Sequence, residues 1–288
     1  MKRWLLYGLS FLGVVVLVFA FLGVIGGFLM FSRGRSVSGP AIGILKIKGI
    51  LVNSDNYLKY LRDLEKNDHI KAVVVRIESP GGSVGVAQEI YEELTKLRKV
   101  KPVVVSMGSV AASGGYYISL GGNEIFALPG TITGSIGVIM EIPNFQKLMK
   151  KLGIQTEAIK SGPYKDTGAF YRPLTKKERE YLQKKVDEIL MQFVNTIVKE
   201  RKLPLEKVKE LADGRFFTGQ EAKKLGLIDK LGDFWDAVDE AKKLSGLKKA
   251  VLVEYPKKKG FLSKLVEEKL YIKRIWGMLF TPLYLAHP

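Results

Sequence analysis

IKAVVVRI, residues 70–77, runs directly into ESPGGSV, residues 78–84. The first stretch is dominated by β-branched residues without apolar/polar alternation. That pattern suits a strand covered on both faces, as in a parallel sheet. The Pro-Gly-Gly that follows ends the strand, and residues 84–99 then carry a helical period. The same sentence is repeated downstream. PVVVSM, residues 102–107, reads as a strand, GSVAASGGYY, residues 108–117, as a glycine-rich strand end, and 113–120 as a short helix. Upstream, 42–47 reads as a strand and 53–66 as a helix. Further on, 124–128 and 154–159 read as strands, and 144–152, 176–201 and 233–244 as helices. Strands alternating with helices predict an α/β fold, a largely parallel sheet flanked by helices.

The chain has 288 residues and a formal net charge of +17, enough length to bury a core. An excess of positive charge suits an anionic partner such as a membrane surface or nucleic acid, or else a Lys/Glu-rich solvated surface. The basic residues are dispersed and no nucleic-acid-binding signature is present, so no nucleic-acid partner is expected. Residues 4–31 carry no charge and are flanked by Lys2 and Arg3 on one side and by Arg33 and Arg35 on the other. The stretch exceeds the roughly 20 residues that cross a bilayer core as a helix. It is also longer than the ~7–15-residue apolar region of a cleaved signal peptide. An uncleaved signal anchor is expected, and the charges on its two flanks leave its orientation open. The domains expected are an N-terminal transmembrane anchor with its flanks (1–35), an α/β domain (36–255), and a basic amphipathic tail (256–288).

The available chemistry is narrow. There is no cysteine and there are only two histidines. Disulfides, thiolate zinc sites and a Cys nucleophile are excluded. HExxH and the Walker pattern are absent. His69 reads as a turn residue and His287 as part of the tail. A hydrolase built here needs Ser or Thr with Lys, or paired carboxylates. Ser113 is the best-placed serine, because Ala111, Ala112, Gly114 and Gly115 leave room for a substrate backbone. At a helix start, the Gly114 N–H and the helix dipole favour a developing anion, and Gly82 on the first loop can supply a second N–H. Each glycine loop taken singly also reads as a tight turn, with Ser83 and Ser113 as N-caps. Lys165, in IKSGPYKDTGAFY (residues 159–171), is the candidate base. A lysine base must be neutral, which needs burial, and Tyr164, Phe170 and Tyr171 offer apolar cover. Asp166 opposes this if it faces the amine. Lys160 is the rival, and an exposed surface lysine is the ordinary alternative for both.

SPGGSV, SVAASGGYY, GTITGSIGV (130–138), SGPYKD and FFTGQEAKKLGLID (216–229) occur in one order that resembles the signal peptide peptidase A family, also called protease IV. The resemblance runs from about residue 41 to 253. It implies a fold related to the Clp protease and crotonase folds and a serine endopeptidase with a Ser/Lys dyad. Carried over by position, Ser113 is the nucleophile, Lys165 the base, Gly82 and Gly114 the oxyanion donors, and Ser135 the serine that orients the lysine amine. Ser135 otherwise reads as a turn serine between two glycines. No cofactor and no metal are implied. The implied substrates are signal-peptide remnants and other apolar peptides. The implied setting is the outer face of the cytoplasmic membrane, with a single span and a homo-oligomeric ring whose neighbouring subunits complete each site. Family members often carry Ser-Pro where this chain has Ala169-Phe170, a change that bears on a pocket wall.

Three other readings fit parts of the sequence. A membrane-bound Clp-class peptidase acting on a stomatin-like partner shares the chemistry, but the FTGQEA segment and the position of Lys165 favour the first reading. A crotonase-fold acyl-CoA enzyme needs site carboxylates that neither glycine loop offers as a pair. A non-catalytic membrane scaffold makes both loops mere turns. The tail after residue 260 fits a membrane-surface segment, a strand docked in a neighbour's groove, or a helix packed on the body.

Overall fold

The structure, a computed structural model, describes residues 17–23, 26 and 39–256. Most of the charge-free stretch 4–31 and the tail from 257 onward lie outside them. Residues 17–23 are helical, and among the described residues no helix is long and apolar enough to cross a membrane.

Residues 40–256 belong to one unit. Its elements are β1 (Ala41–Lys48), α1 (Asp55–Lys66), β2 (Ile70–Ser79), α2 (Val84–Leu97), β3 (Val103–Ala112), α3 (Gly114–Ser119), β4 (Glu124–Ala127), β5 (Ile132–Gly134) and α4 (Gln146–Lys151). They continue as α5 (Lys176–Arg201), α6 (Leu205–Leu211), β6 (Phe216–Thr218), α7 (Gly219–Leu225), β7 (Lys230–Leu231), α8 (Phe234–Leu244) and β8 (Val251–Tyr255). The sheet runs β6-β5-β3-β2-β1-β8, with β4 on β3 and β7 on β4. Every pairing is parallel except β5 with β6.

The β-branched run behaves as its composition demands. Ala72, Val73, Val74, Val75 and Ile77 are fully buried. Each buried Val or Ile side chain is worth about 1.5–3 kcal/mol relative to exposure. On one face Ile42, Ile44, Val74, Val104 and Phe126 pack against Ala237, Val238 and Ala241 of α8. The apolar stripe of α2 (Ala87, Ile90, Tyr91, Leu94, Leu97) is buried at helical spacing.

β3 is the strand that creates the site. Its first half pairs with β4 through Val104, Val105 and Ser106, and its second half pairs with β5 through Val110, Ala111 and Ala112. On its other side, the ladder with β2 slips between Ile77 and Ser79. The Glu78 carboxylate fills that break by accepting the N–H groups of Ser109 (2.9 Å) and Val110 (3.2 Å). The strand ends β2 and β3 therefore diverge from a regular ladder where both glycine loops begin, as expected where the neighbour of a strand changes in an open sheet.

One expected strand is missing. Residues 154–159 form no strand, and every one of them is exposed. The apolar alternation of IQTEAI has no neighbouring strand to pair with among the described residues, and an unpaired strand does not hold itself together.

Candidate active site

Ser113 sits at the corner between β3 and α3, at φ 53° and ψ −118°. This is a conformation that side chains avoid, and residues held there cost on the order of 1–3 kcal/mol. The corner is held from both sides: the Ser113 N–H donates to Gly134 O on β5 (2.8 Å), and its carbonyl accepts from Tyr117 N (2.9 Å). The serine side chain makes no capping hydrogen bond, so the reading of Ser113 as an N-cap fails. Ser83 likewise caps nothing. Ser113 is half-buried, and the Gly114 and Gly115 that follow are buried.

Gly114 is the first residue of α3, so its N–H has no partner within the helix. The SPGG loop lies directly against it. A Cβ placed on Gly81 would come within 2.8 Å of Gly114 N and 2.9 Å of Ser113 Cβ. Leu51 bridges Gly82 in parallel: Leu51 N donates to Gly81 O (2.9 Å), and Ser83 N donates to Leu51 O (2.8 Å). In such a bridge the middle residue's own N–H faces away from its partner. The Gly82 N–H is thus left on the side away from Leu51, and a Cβ there would meet Leu51 O at 2.4 Å. Gly81 and Gly82 have φ of 106° and 152°, so glycine is required at both positions. Ser79 Oγ braces the loop by donating to Gly49 O (2.7 Å) and accepting from Gly81 N (3.1 Å).

An apolar pocket opens beside these groups. Gly82, Ser113 and Gly114 stand in its lining with Val84, Ala87, Tyr117, Val138, Ile189 and Phe193. Tyr117 and Phe193 meet edge to face at 5.0 Å. Ile189 and Phe193 come from α5 and were not singled out by sequence reasoning. The heptad-like apolar spacing along that helix was the available signal, but it reads equally well as core.

Ser135 also has a positive φ, 48°. Its N–H donates to Arg215 O (2.9 Å), which ties the TGSIG turn to the start of β6. Gly134, the residue before it, carries the carbonyl that holds Ser113.

Lys165 is placed differently. It is exposed, in a run of turns between residues 161 and 172, and it makes no side-chain hydrogen bond or ion pair among the described residues. It does not line the pocket. Lys160, the rival, is engaged: its Nζ donates to the Asp166 carboxylate. Arg172 grips that carboxylate too, through Nε (2.9 Å) and Nη2 (2.7 Å). These two cations hold the Asp166 carboxyl well below the usual carboxylate range, the Arg172 hydrogen bond being the larger cause. Sequence reasoning flagged Asp166 as a possible threat to the lysine and missed the arginine that controls it.

Comparison with known proteins gives the family. Residues 95–248 match peptidase family S49. A putative protease of Synechocystis sp. is 49% identical over 190 residues, covering 66% of this chain and 68% of the relative. A putative signal peptide peptidase SppA of Enterococcus faecium is 37% identical, covering 76% of this chain and 64% of the relative. Protease 4 of Salmonella typhi is 36% identical, over 82% of this chain but only 39% of its own length. Among solved structures, a membrane-bound stomatin-specific protease superposes with a TM-score of 0.49 at 18% identity, over 76% of this chain and 98% of that one. The chain belongs to peptidase family S49, alongside relatives named signal peptide peptidase SppA and Protease 4.

Proposed function

We propose that this chain is a membrane-anchored serine endopeptidase on a Clp protease/crotonase-like fold, and that it degrades signal-peptide remnants and other apolar peptides. The observation that carries the reading is the strained corner at Ser113. It carries a hydroxyl without a capping role, and Ser113 lines one apolar pocket together with Gly82 and Gly114. In the proposed reaction, neutral Lys165 takes the Ser113 proton as Oγ attacks the scissile carbonyl. The N–H groups of Gly82 and Gly114 receive the oxyanion, an arrangement worth about 3–4 kcal/mol in the transition state. The lysine ammonium then protonates the leaving amine, and the same lysine deprotonates the water that releases the acyl group. Ser135 orients the lysine amine.

The exposure of Lys165 supports an oligomer. A lysine is neutral near pH 7 only when its charged form is disfavoured by burial. Within one chain nothing among the described residues buries it, so in this reading a neighbouring subunit of a ring supplies the cover. The charge-free stretch 4–31 is the proposed single-span anchor in the cytoplasmic membrane, with the catalytic domain on its outer face.

The test uses the full-length protein in detergent with a synthetic apolar signal peptide, fragments being read by mass spectrometry. The parent is expected to cleave the peptide, and a fluorophosphonate probe to label Ser113. Ser113→Ala is expected to lose hydrolysis by about 10³-fold or more while its oligomeric state is unchanged. Equal cleavage by parent and Ser113→Ala would overturn the assignment.

A further inference from the structure

Lys165 lies in a loop without a ladder, yet its two chain neighbours are both fastened to one helix. On one side, the Tyr164 ring packs on Tyr181 with centroids 5.2 Å apart. On the other, Asp166 is bound by Arg172, which reaches onward to Glu178 through Nη1 (2.9 Å) and Nη2 (2.6 Å). Glu178 and Tyr181 are three residues apart on α5, hence on one face of it. Glu178 is itself immobilised. It is 3% exposed and closes a capping box with Thr175, accepting from Thr175 N at 2.8 Å while its own N–H donates to Thr175 Oγ1 at 3.2 Å. Arg172 also donates to the backbone carbonyls of Asp166 (3.2 Å) and Pro173 (3.1 Å). One guanidinium therefore joins the loop to the first turn of a 26-residue helix.

We infer that Arg172 is a positioning residue for the peptidase reaction: it docks the Lys165 loop on the start of α5 and holds the Asp166 carboxylate away from the lysine amine. The inference rests on the reading of Lys165 as the base. Two physical needs are met at once. A base must sit within hydrogen-bond reach of the proton it takes, and a misplacement of about 1 Å can cost on the order of 100-fold in rate. A base that is a lysine must also be kept from a bare carboxylate, which would stabilise its ammonium form. The groups facing Asp166 are Lys160 from the preceding segment, Arg172 and the Tyr171 hydroxyl (3.3 Å) from its own turn, and Glu178 through Arg172. Arginine suits the post because its planar fork holds five donors in fixed geometry and so reaches two carboxylates and two carbonyls at once, where an ammonium has three donors on a flexible stem.

The experiment compares full-length parent, Arg172→Ala, Arg172→Lys, Glu178→Gln and Lys165→Ala in detergent with the same signal peptide, measuring kcat, KM and their pH profiles. Arg172→Ala is expected to lower kcat by about 10–100-fold, to leave KM within about twofold, and to move the alkaline inflection of kcat upward as the freed Asp166 charge favours the ammonium. Arg172→Lys is expected to recover only a minor part. Glu178→Gln keeps an acceptor for the Thr175 N–H but loses the ion pair. It is expected to show the same trend more weakly, and it carries the test if Arg172→Ala does not fold. A silent Lys165→Ala together with an unchanged Arg172→Ala overturns the positioning role alone. So does a fall in activity that lies entirely in KM with an unmoved inflection. Activity in Lys165→Ala removes the base assignment, and this inference with it.

Discussion

The shelf that carries Ser113 and the segment that carries Lys165 are built by opposite means. The shelf is the end of a ten-residue strand inside the sheet, with Ala111 fully buried and Ala112 at 7% exposure. Its geometry is over-determined by β2, β5, the SPGG loop and the Glu78 carboxylate. The segment from 137 to 172 has one short helix, and it leaves Ile139 80% and Ile159 100% exposed. Its order comes from side chains, chiefly Arg172 and the Tyr164–Tyr181 pair. The contrast separates what a single chain can finish from what it leaves open. Ser113, Gly82 and Gly114, the proposed nucleophile and oxyanion donors, are brought together by backbone within one chain. The proposed base is presented on an apolar surface that a second subunit would cover.

The comparison can be broken most decisively at the lysine. Lys165→Arg is expected to abolish hydrolysis, by about 10³-fold or more, because an arginine stays protonated at neutral pH. Its Tm should match the parent's, since the side chain is exposed and without a partner among the described residues. A large drop in Tm would show the segment to be as tightly packed as the shelf. Gly82→Ala tests the shelf. The added methyl collides with Leu51 in a backbone region closed to alanine, so kcat should fall by about 10²–10³-fold as the proposed oxyanion donor is displaced, and Tm should fall with it.

Acid sharpens the contrast more gently. Asp166 and Glu178 are held below the ordinary carboxylate range, in both cases first of all by their hydrogen bonds to Arg172. Groups with depressed folded pKa values stabilise the fold above their unfolded values, near 4, and lose that contribution as pH falls below them. The Tm gap between parent and Arg172→Ala should therefore be full at pH 6 and narrow below about pH 4, as followed by circular dichroism. The smallest effect belongs to the core behind the shelf. Tyr116 is fully buried and donates to Leu227 O at 2.9 Å. Tyr116→Phe should cost about 1 kcal/mol in denaturant unfolding without touching kcat.

The sheet was legible because buried parallel strands have few residues to choose from. The runs at 70–77 and 102–107 could hardly be anything else, and the glycine loops between them announced where backbone must approach backbone. The family motifs placed Ser113, Gly82 and Gly114 at positions that prove adjacent. Two features could not be read. The positive φ of Ser113 leaves no mark in propensity, since a serine before a helix looks like a cap. The Arg172 bridge joins charges six residues apart across a turn, a spacing that no short-range rule anticipates. The strand expected at 154–159 failed for the converse reason: local alternation was present, but the described residues give it no edge to pair with.

The corner at residue 113 has one more consequence. Glycine would occupy φ 53° and ψ −118° with little penalty, and serine does not. Durability and reactivity thus pull this position in different directions. Selection for hardiness alone would drive it toward glycine, and in the proposed mechanism the resulting protein would be sturdier and inert. If Ser113 is the nucleophile proposed above, a serine here marks a molecule tuned for what it does to other chains rather than for how long it lasts itself.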